Sequence, residues 1–208
     1  MSTVIIEPHY LPCIEYFCAL LLHQQVTLEK HEHFVKQSYR SRCHINTSQG
    51  SHKLVVPTAD KHGKVTLGTV QLDGSVRWRN NHWRTIRSAY QNAPFFEYYA
   101  DELHAILFQS HRFLFDLNKS LLSFCLRTLK LEIAIAETLS YQKDYTAEVV
   151  DLRNAISAKK HHSSRNHYQP AAYTQVFGNG FVENLSVLDV LFCEGPNALR
   201  YIKTSARH

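Results

Sequence analysis

A short turn near the N-terminus carries residues suited to binding an anion. Residues 7–12 (EPHYLP) stand between the apolar run 4–6 and an apolar stretch over 13–22. Where a strand leads into a helix in this way, unpaired backbone N–H groups and the helix dipole favour a negative charge. His9 and Tyr10 would stand at the mouth of such a site. The turn lacks the glycines of a P-loop or a dinucleotide fingerprint, and the alternative is a proline-stiffened turn with Tyr10 in the core.

A basic cluster follows the second predicted strand. Lys36, Arg40 and Arg42 share parity, so on a strand their side chains would project to one face. Arginine is suited to bidentate contact with carboxylate or phosphate. We predict that these three residues and Tyr10 bind substrate, with a solvated strand face as the alternative.

A third group surrounds His82, which lies among Trp78, Arg79, Trp83 and Arg84. Histidine is the side chain best suited to exchange a proton near neutral pH. We therefore predict that His82 and His9 are the catalytic acid or base. A surface histidine with no catalytic partner is the alternative.

Two histidine groups were considered as metal ligands. These are His31-Glu32-His33 and the pair His161-His162 with His167. Neither group offers a third ligand at a diagnostic spacing. The sequence therefore predicts no metal site, and it does not identify a cofactor.

Composition restricts the class of protein. The chain has 208 residues, 44% of them hydrophobic, which is enough for one domain spanning 1–208. No apolar run reaches the roughly 18 residues of a membrane span, and the N-terminus does not resemble a signal peptide. The 5 cysteines form no CxxC pair, so we expect a reducing, cytoplasmic location. A net charge of +5 with 14 histidines would attract anions.

The hydrophobic pattern predicts an α/β fold in which these groups are placed by one sheet and several helices. Strands at 4–6 and 26–28 flank the first helix, so a strand-turn-helix (βαβ) unit would begin a mixed sheet. Further strands are predicted at 53–57, 65–72 and 133–136, with a turn at 60–64. Three helices are predicted in a central helical region over about 80–131, and two short helices at 185–193 and 197–203. The polar, basic stretch 157–167 is predicted to be a mobile loop.

Several motifs in register resemble those of the bacterial WbqC-like protein family. The resemblance is carried by 7–17, by Tyr39-Arg40-Ser41-Arg42-Cys43-His44-Ile45, by Leu54-Val55-Val56-Pro57, and by His82-Trp83 with Pro94-Phe95-Phe96. It covers about residues 3–132, with a shorter match in the tail up to Gly195-Pro196. This chain departs from the family pattern at four positions: Glu7 replaces glutamine, Cys13 tryptophan, Glu15 glycine and Ser41 asparagine.

The family name comes from genes for surface-polysaccharide synthesis, so the resemblance implies a sugar or a sugar nucleotide as substrate for some members. Our first hypothesis is a transferase-type enzyme that acts on a phosphorylated or nucleotide-activated small molecule. The substitutions Glu7 and Glu15 favour the alternative, a non-catalytic binding or scaffold protein of the same fold. Nucleic-acid binding through the basic strand and the 157–167 stretch is a less favoured third hypothesis.

Overall fold

The computed structural model describes residues 3–59, 65–74, 77–165, 167–178 and 180–207, and its strands form two sheets. The strands are β1 (Thr3–Ile6), β2 (Gln25–Leu28), β3 (Arg42–Thr47), β4 (Gly50–Val55), β5 (Ala134–Glu137) and β6 (Val149–Asp151). The turn predicted at 60–64 lies outside the described residues.

A four-stranded parallel sheet has the order β5-β2-β1-β6. Helix α1 (Ile14–Leu20) connects β1 to β2, which pair in parallel with Val4 opposite Val26. The predicted βαβ unit and the return strand near residue 134 are therefore confirmed. Because all four strands run in one direction, the residues that follow them, such as Glu7 and Glu29, lie at one edge of the sheet.

Strands β3 and β4 form a separate antiparallel hairpin. Parallel and antiparallel pairing therefore occur in different sheets. At the hairpin turn Gly50 has φ of 87°, which glycine adopts without strain. The prediction that Lys36, Arg40 and Arg42 share a strand is wrong, because β3 begins at Arg42. Residues 36 and 40 belong to the irregular segment before it, whose backbone turns at Gln37 with φ of 58°.

The helices occur where the periodicity predicts them. The central three are α2 (Trp78–Tyr90), α3 (Phe96–Phe108) and α4 (Leu114–Thr128), and the terminal two are α5 (Val187–Glu194) and α6 (Ala198–Ser205). Helix α4 buries Leu114, Leu117, Leu121 and Cys125 completely, as expected for apolar residues spaced three and four apart. Among the described residues, no helix is both long and apolar enough to cross a bilayer. All five cysteines are buried free thiols.

The prediction of a strand over 65–72 is wrong. Its centre forms a single 3₁₀ turn, Leu67–Thr69. The backbone N–H groups of Leu67 and Gly68 donate to the carbonyls of Glu32 (2.9 Å) and Lys30 (2.7 Å), so tertiary hydrogen bonds replace a strand ladder. Strand β6 was missed because only three residues form it, too few for a periodicity to show.

Gly195 is a position where any side chain should disrupt the packing of α5. Its φ is 52°, and an added Cβ would lie 2.4 Å from ring carbons of Phe95. We predict that Gly195→Ala lowers the free energy of unfolding by about 2–5 kcal/mol, the sum of overpacking and left-handed strain. The measurement is urea denaturation.

Gly50→Ala is the matched control. Gly50 also has positive φ, but an added Cβ would meet no atom within 4 Å. We expect this variant to lose only about 1–2 kcal/mol, the cost of the left-handed conformation. Equal losses in the two variants would contradict the predicted clash with Phe95.

Candidate functional site

The turn that follows β1 is part of the protein interior. His9 is 1% exposed and Tyr10 is fully buried. The N–H of Tyr10 donates to the carbonyl of Tyr39 (2.9 Å), and that of Ile14 to the carbonyl of Leu185 (3.0 Å). The side-chain oxygen of Asn184 accepts from the N–H of Glu15 at 3.1 Å. Protein groups thus fill these positions at the start of α1, where the sequence predicted an anion.

A buried ionic network occupies the carboxyl edge of the sheet around Glu7. One guanidinium nitrogen of Arg40 lies 3.2 Å from the Glu7 carboxylate, and Arg40 also contacts the carboxylate of Glu32. The other Glu7 oxygen accepts from the N–H of Asn154 (2.9 Å). Burial alone would raise the pKa of Glu7, but the hydrogen bond from His9 and the charge of Arg40 lower it below its usual value. Arg40 is thus neutralised by carboxylates of the protein itself.

His9 belongs to this network and is enclosed by aromatic rings. Its Nε2 lies 3.3 Å from Glu7, and its ring packs against Tyr16 and Tyr39 at centroid distances of 4.8 and 5.4 Å. Burial lowers the pKa of His9, although Glu7 partly opposes that shift. His9 is therefore a neutral, buried imidazole near pH 7.

His82 joins helix α2 to the turn and to β4. Its Nδ1 lies 2.8 Å from the hydroxyl of Tyr10, and its Nε2 lies 3.1 Å from the carbonyl of Val55. Because that carbonyl can only accept, Nε2 carries the proton and Tyr10 donates to Nδ1. Burial lowers the pKa of His82 to about 4. Both ring nitrogens are used in holding three elements together.

The predicted site residues are therefore brought together in pairs rather than in one pocket. Arg40 and His9 both contact the carboxylate of Glu7, and the hydroxyl of Tyr10 is hydrogen-bonded to His82. Lys36 is exposed, and Arg42 lies on β3 with a buried Nε that has no hydrogen-bond partner within the described ranges. The catalytic roles of His9 and His82 and the binding roles of the other four stay predictions.

Two open cavities are lined by residues of the segment 157–165. The first, of about 320 Å³, is bounded by the hairpin and this segment, and its lining includes Tyr39, His44, Ser51, Lys159, Lys160, His161, His162, Arg165 and Glu183. The second, of about 640 Å³, lies at the end of β6 and is lined by Asn154, Ala155, Ser157, Lys160, His161, Ser164 and Arg165. Lys160, His161 and Arg165 line both, so this segment is the centre of the candidate site.

A buried ion pair attaches the segment 157–165 to the protein body. Two guanidinium nitrogens of Arg165 contact the two carboxylate oxygens of Glu15, which is fully buried in α1. The third nitrogen donates to the carbonyls of Ser157 (3.3 Å) and Lys160 (2.9 Å). The amide of Asn184 donates to Glu15 at 2.9 Å. The sequence indicates that such a pair must exist, because Glu15 lies in an apolar helix and a buried carboxylate requires a cationic partner.

Two asparagines with left-handed backbone line these cavities, Asn154 (φ 58°) and Asn184 (φ 52°). Asparagine tolerates this conformation. Asn154 and Asn184 each bond to a buried glutamate, Glu7 and Glu15 respectively. The backbone next to both cavities is thus held by specific contacts rather than by regular structure.

Fold and site define an α/β protein with a cation-lined cleft beside the carboxyl edge of a parallel sheet. The model of the WbqC-like protein family matches residues 7–167 and 164–201, and the chain belongs to this family. It is 27% identical over 232 aligned positions to the uncharacterized protein Rv1507c of Mycobacterium tuberculosis, an alignment that covers 97% of this chain and 99% of that protein. No solved structure shows significant similarity to this chain.

The lowered pKa of His82 predicts a loss of stability in acid. The folded state binds its proton near pH 4, whereas the unfolded state binds it near the ordinary value of 6.5. The stabilisation is therefore complete above pH 6.5 and falls as the pH drops toward 4, by up to roughly 3 kcal/mol. Urea denaturation at several pH values measures this loss, and His82→Gln should make the pH dependence shallower. An NMR titration in which His82 protonates near pH 6.5 would contradict the assignment.

The segment 157–165 should be the first site of tryptic cleavage, because Lys159 and Lys160 are exposed. We predict that Glu15→Gln, which removes the charge that holds Arg165, accelerates this cleavage severalfold. It should also lower the free energy of unfolding by about 1.5–3 kcal/mol. The rate is followed by mass spectrometry of the fragments.

Glu102→Gln serves as the control for this experiment. Its ion pair with Arg127 is half exposed on both sides, so its loss should change little. If the segment resists trypsin in the wild type, the sequence-based prediction of a mobile loop is wrong. If Glu15→Gln and Glu102→Gln behave alike, Arg165 does not hold the segment.

Proposed function

We propose that this protein is a cytoplasmic, transferase-type enzyme that binds a phosphorylated or nucleotide-activated small molecule in the two cavities lined by 157–165. The observation that supports it is the concentration of cationic side chains around open space at the end of a parallel strand. Ligands of open α/β sheets bind at that edge. The buried thiols fit the proposed compartment.

The anion would be held chiefly by the exposed lysines of the segment. Lys159 and Lys160 are exposed and line the first cavity, and Lys160 also lines the second. Arg165 lines both but is already neutralised by Glu15. A phosphate held by Lys160 would therefore meet a cationic group whose charge no buried carboxylate among the described residues cancels. Binding by these groups should weaken with salt.

A group that could accept a proton lies on the hairpin wall of the first cavity. His44 shares a face of the hairpin with Lys53, its partner in register. Burial lowers the pKa of His44, and the neighbouring charges of Lys53 and Arg42 lower it further. His44 is thus neutral near pH 7 and suited to act as a base. The ring of Tyr39 lies 6.2 Å from that of His44 between centroids. It offers a surface on which a nucleobase or a sugar could stack.

A sugar nucleotide is the substrate class that the family name favours, through its origin in surface-polysaccharide synthesis. The volumes of the cavities, about 320 and 640 Å³, suit such a molecule. In this proposal an acceptor hydroxyl attacks the anomeric carbon of the sugar, and His44 receives the hydroxyl proton. The bond between that carbon and the phosphate oxygen breaks, and the nucleotide leaves with its phosphates held by the lysines. The energetic contributions are positioning and electrostatic stabilisation.

The test is calorimetric titration with a panel of nucleotides and nucleotide sugars at low salt, with a chelator present. Lys160→Ala should lower the affinity for the best ligand by roughly 10- to 150-fold, the range for a hydrogen bond to a charged group. Lys203→Ala is the control. This substitution removes the same charge from an exposed position on α6 that lines neither cavity. Circular dichroism verifies that each variant is folded.

Arg42→Ala distinguishes this site from the one predicted by sequence. If Arg42→Ala loses binding while Lys160→Ala keeps it, the ligand lies on β3 and the proposed site is wrong. If no member of the panel binds the wild type, the transferase proposal fails in favour of a non-catalytic scaffold. If a ligand binds but is not turned over with any acceptor, the protein is a binding protein.

A further inference from the structure

The wall of the first cavity contains two adjacent imidazoles and a carboxylate. These belong to His161, His162 and Glu183, and one ligand atom from each lies within 4.8 Å of the others. The Nε2 of His162 is 2.7 Å from a Glu183 oxygen, and the Nε2 of His161 is 3.5 Å from the same oxygen. Residues that are 21 positions apart in the chain are therefore gathered at one point.

Two of the three separations are close to those of a tetrahedral metal site, and the third is at most 4.8 Å. Nitrogen and oxygen ligands at about 2.1 Å from Zn²⁺ lie roughly 3.4 Å from one another. The observed distances of 2.7 and 3.5 Å differ from that value by less than 1 Å. The donor set, two imidazoles and one carboxylate, is one that Zn²⁺, Co²⁺ and Ni²⁺ accept.

The three side chains are held in place by contacts outside the group. The Nδ1 of His161 accepts a hydrogen bond from the backbone N–H of Ser163 (3.3 Å) and lies 2.9 Å from the Ser163 hydroxyl. The ring of His162 packs edge-on against Tyr168 at a centroid distance of 5.0 Å. Both neighbours of Glu183 donate backbone hydrogen bonds, Val182 to Gln175 (2.8 Å) and Asn184 to Tyr168 (3.1 Å).

We propose that His161, His162 and Glu183 bind one divalent transition-metal ion, such as Zn²⁺, with a fourth position open to the cavity. The His162 side chain is 8% exposed, whereas those of His161 and Glu183 are 65% and 40% exposed. The ion would thus lie on the cavity wall, within reach of solvent and of a small ligand. Three protein ligands with one free position is the arrangement of metals that bind substrate or activate water.

This site is not evident from the sequence, because its third ligand is remote. His161, His162 and His167 offer no third ligand at a diagnostic spacing. Glu183 supplies the ligand from a different segment, which the fold brings alongside. The alternative is a metal-free cluster in which Glu183 accepts a hydrogen bond from His162 and lies 3.5 Å from the Nε2 of His161. Direct metal binding separates the two.

The experiment titrates untagged, chelator-treated full-length protein with ZnCl₂ by calorimetry, and with CoCl₂ by visible absorption. We expect one ion per chain and ligand-field bands from bound Co²⁺. His161→Ala and Glu183→Gln should each weaken Zn²⁺ binding at least 10-fold, the effect that loss even of an outer-shell partner produces. Both positions are partly exposed, so these variants should fold; His162 is avoided because it is buried.

His33→Ala is the matched control, since it removes an exposed histidine from the other candidate group. Unchanged binding in this variant, with loss in the other two, supports the site. No binding by the wild type at millimolar Zn²⁺, or equal affinities in all variants, overturns it. The titration contains no nucleotide and the nucleotide titration contains no free metal, so either proposal can fail alone.

Discussion

The buried carboxylate of Glu15 is the constraint on which the candidate site depends. An unpaired charge in the core would cost several kcal/mol, so Glu15 requires a cation at close range. Arg165 provides it, and in doing so it brings the segment 157–165 onto the body of the protein. The remaining N–H groups of Arg165 then fix the backbone of this segment at Ser157 and Lys160. The segment held by that pair contributes residues to both cavities and two imidazoles to the imidazole-carboxylate group.

A similar constraint acts at the carboxyl edge of the sheet. Glu7 replaces the glutamine usual in the family, and its charge is balanced by Arg40 and by the N–H of Asn154. The charge of Arg40 thus balances carboxylates of the protein, whereas the sequence predicts that it binds an anionic ligand. The larger cavity of the proposed site lies next to this edge, and its lining includes Asn154, whose N–H bonds to Glu7. Arg40 is therefore part of the structure of the sheet edge.

Most of the fold could be predicted from sequence, because its elements follow from local patterns. The apolar run 4–6 predicts β1, and the spacing of leucines predicts α4. The failures occurred where tertiary contacts decided the structure. Alternation over 65–72 gave no hint that residues 67 and 68 would bond to the loop at 30–32.

The site could be predicted only in part, for the same reason. Arg40 and His9 were identified as polar residues of importance, but their burial depends on Glu7 and Glu32, whose positions no local pattern specifies. The stretch 157–167 was identified as polar and basic, which is correct, yet its contacts come from Glu15 and Glu183, far away in the chain. Pairing between remote charged residues is the information that a single sequence does not display.

The contribution of one segment to two cavities has a thermodynamic consequence. A molecule that orders Lys160 and His161 in one cavity also changes the conformational freedom that remains for a molecule arriving in the other. If both spaces bind ligands as proposed, their occupancies are coupled, with a coupling free energy that is the same whichever fills first. A donor and an acceptor bound in the two cavities would then change each other's affinity through the residues that line both, without touching.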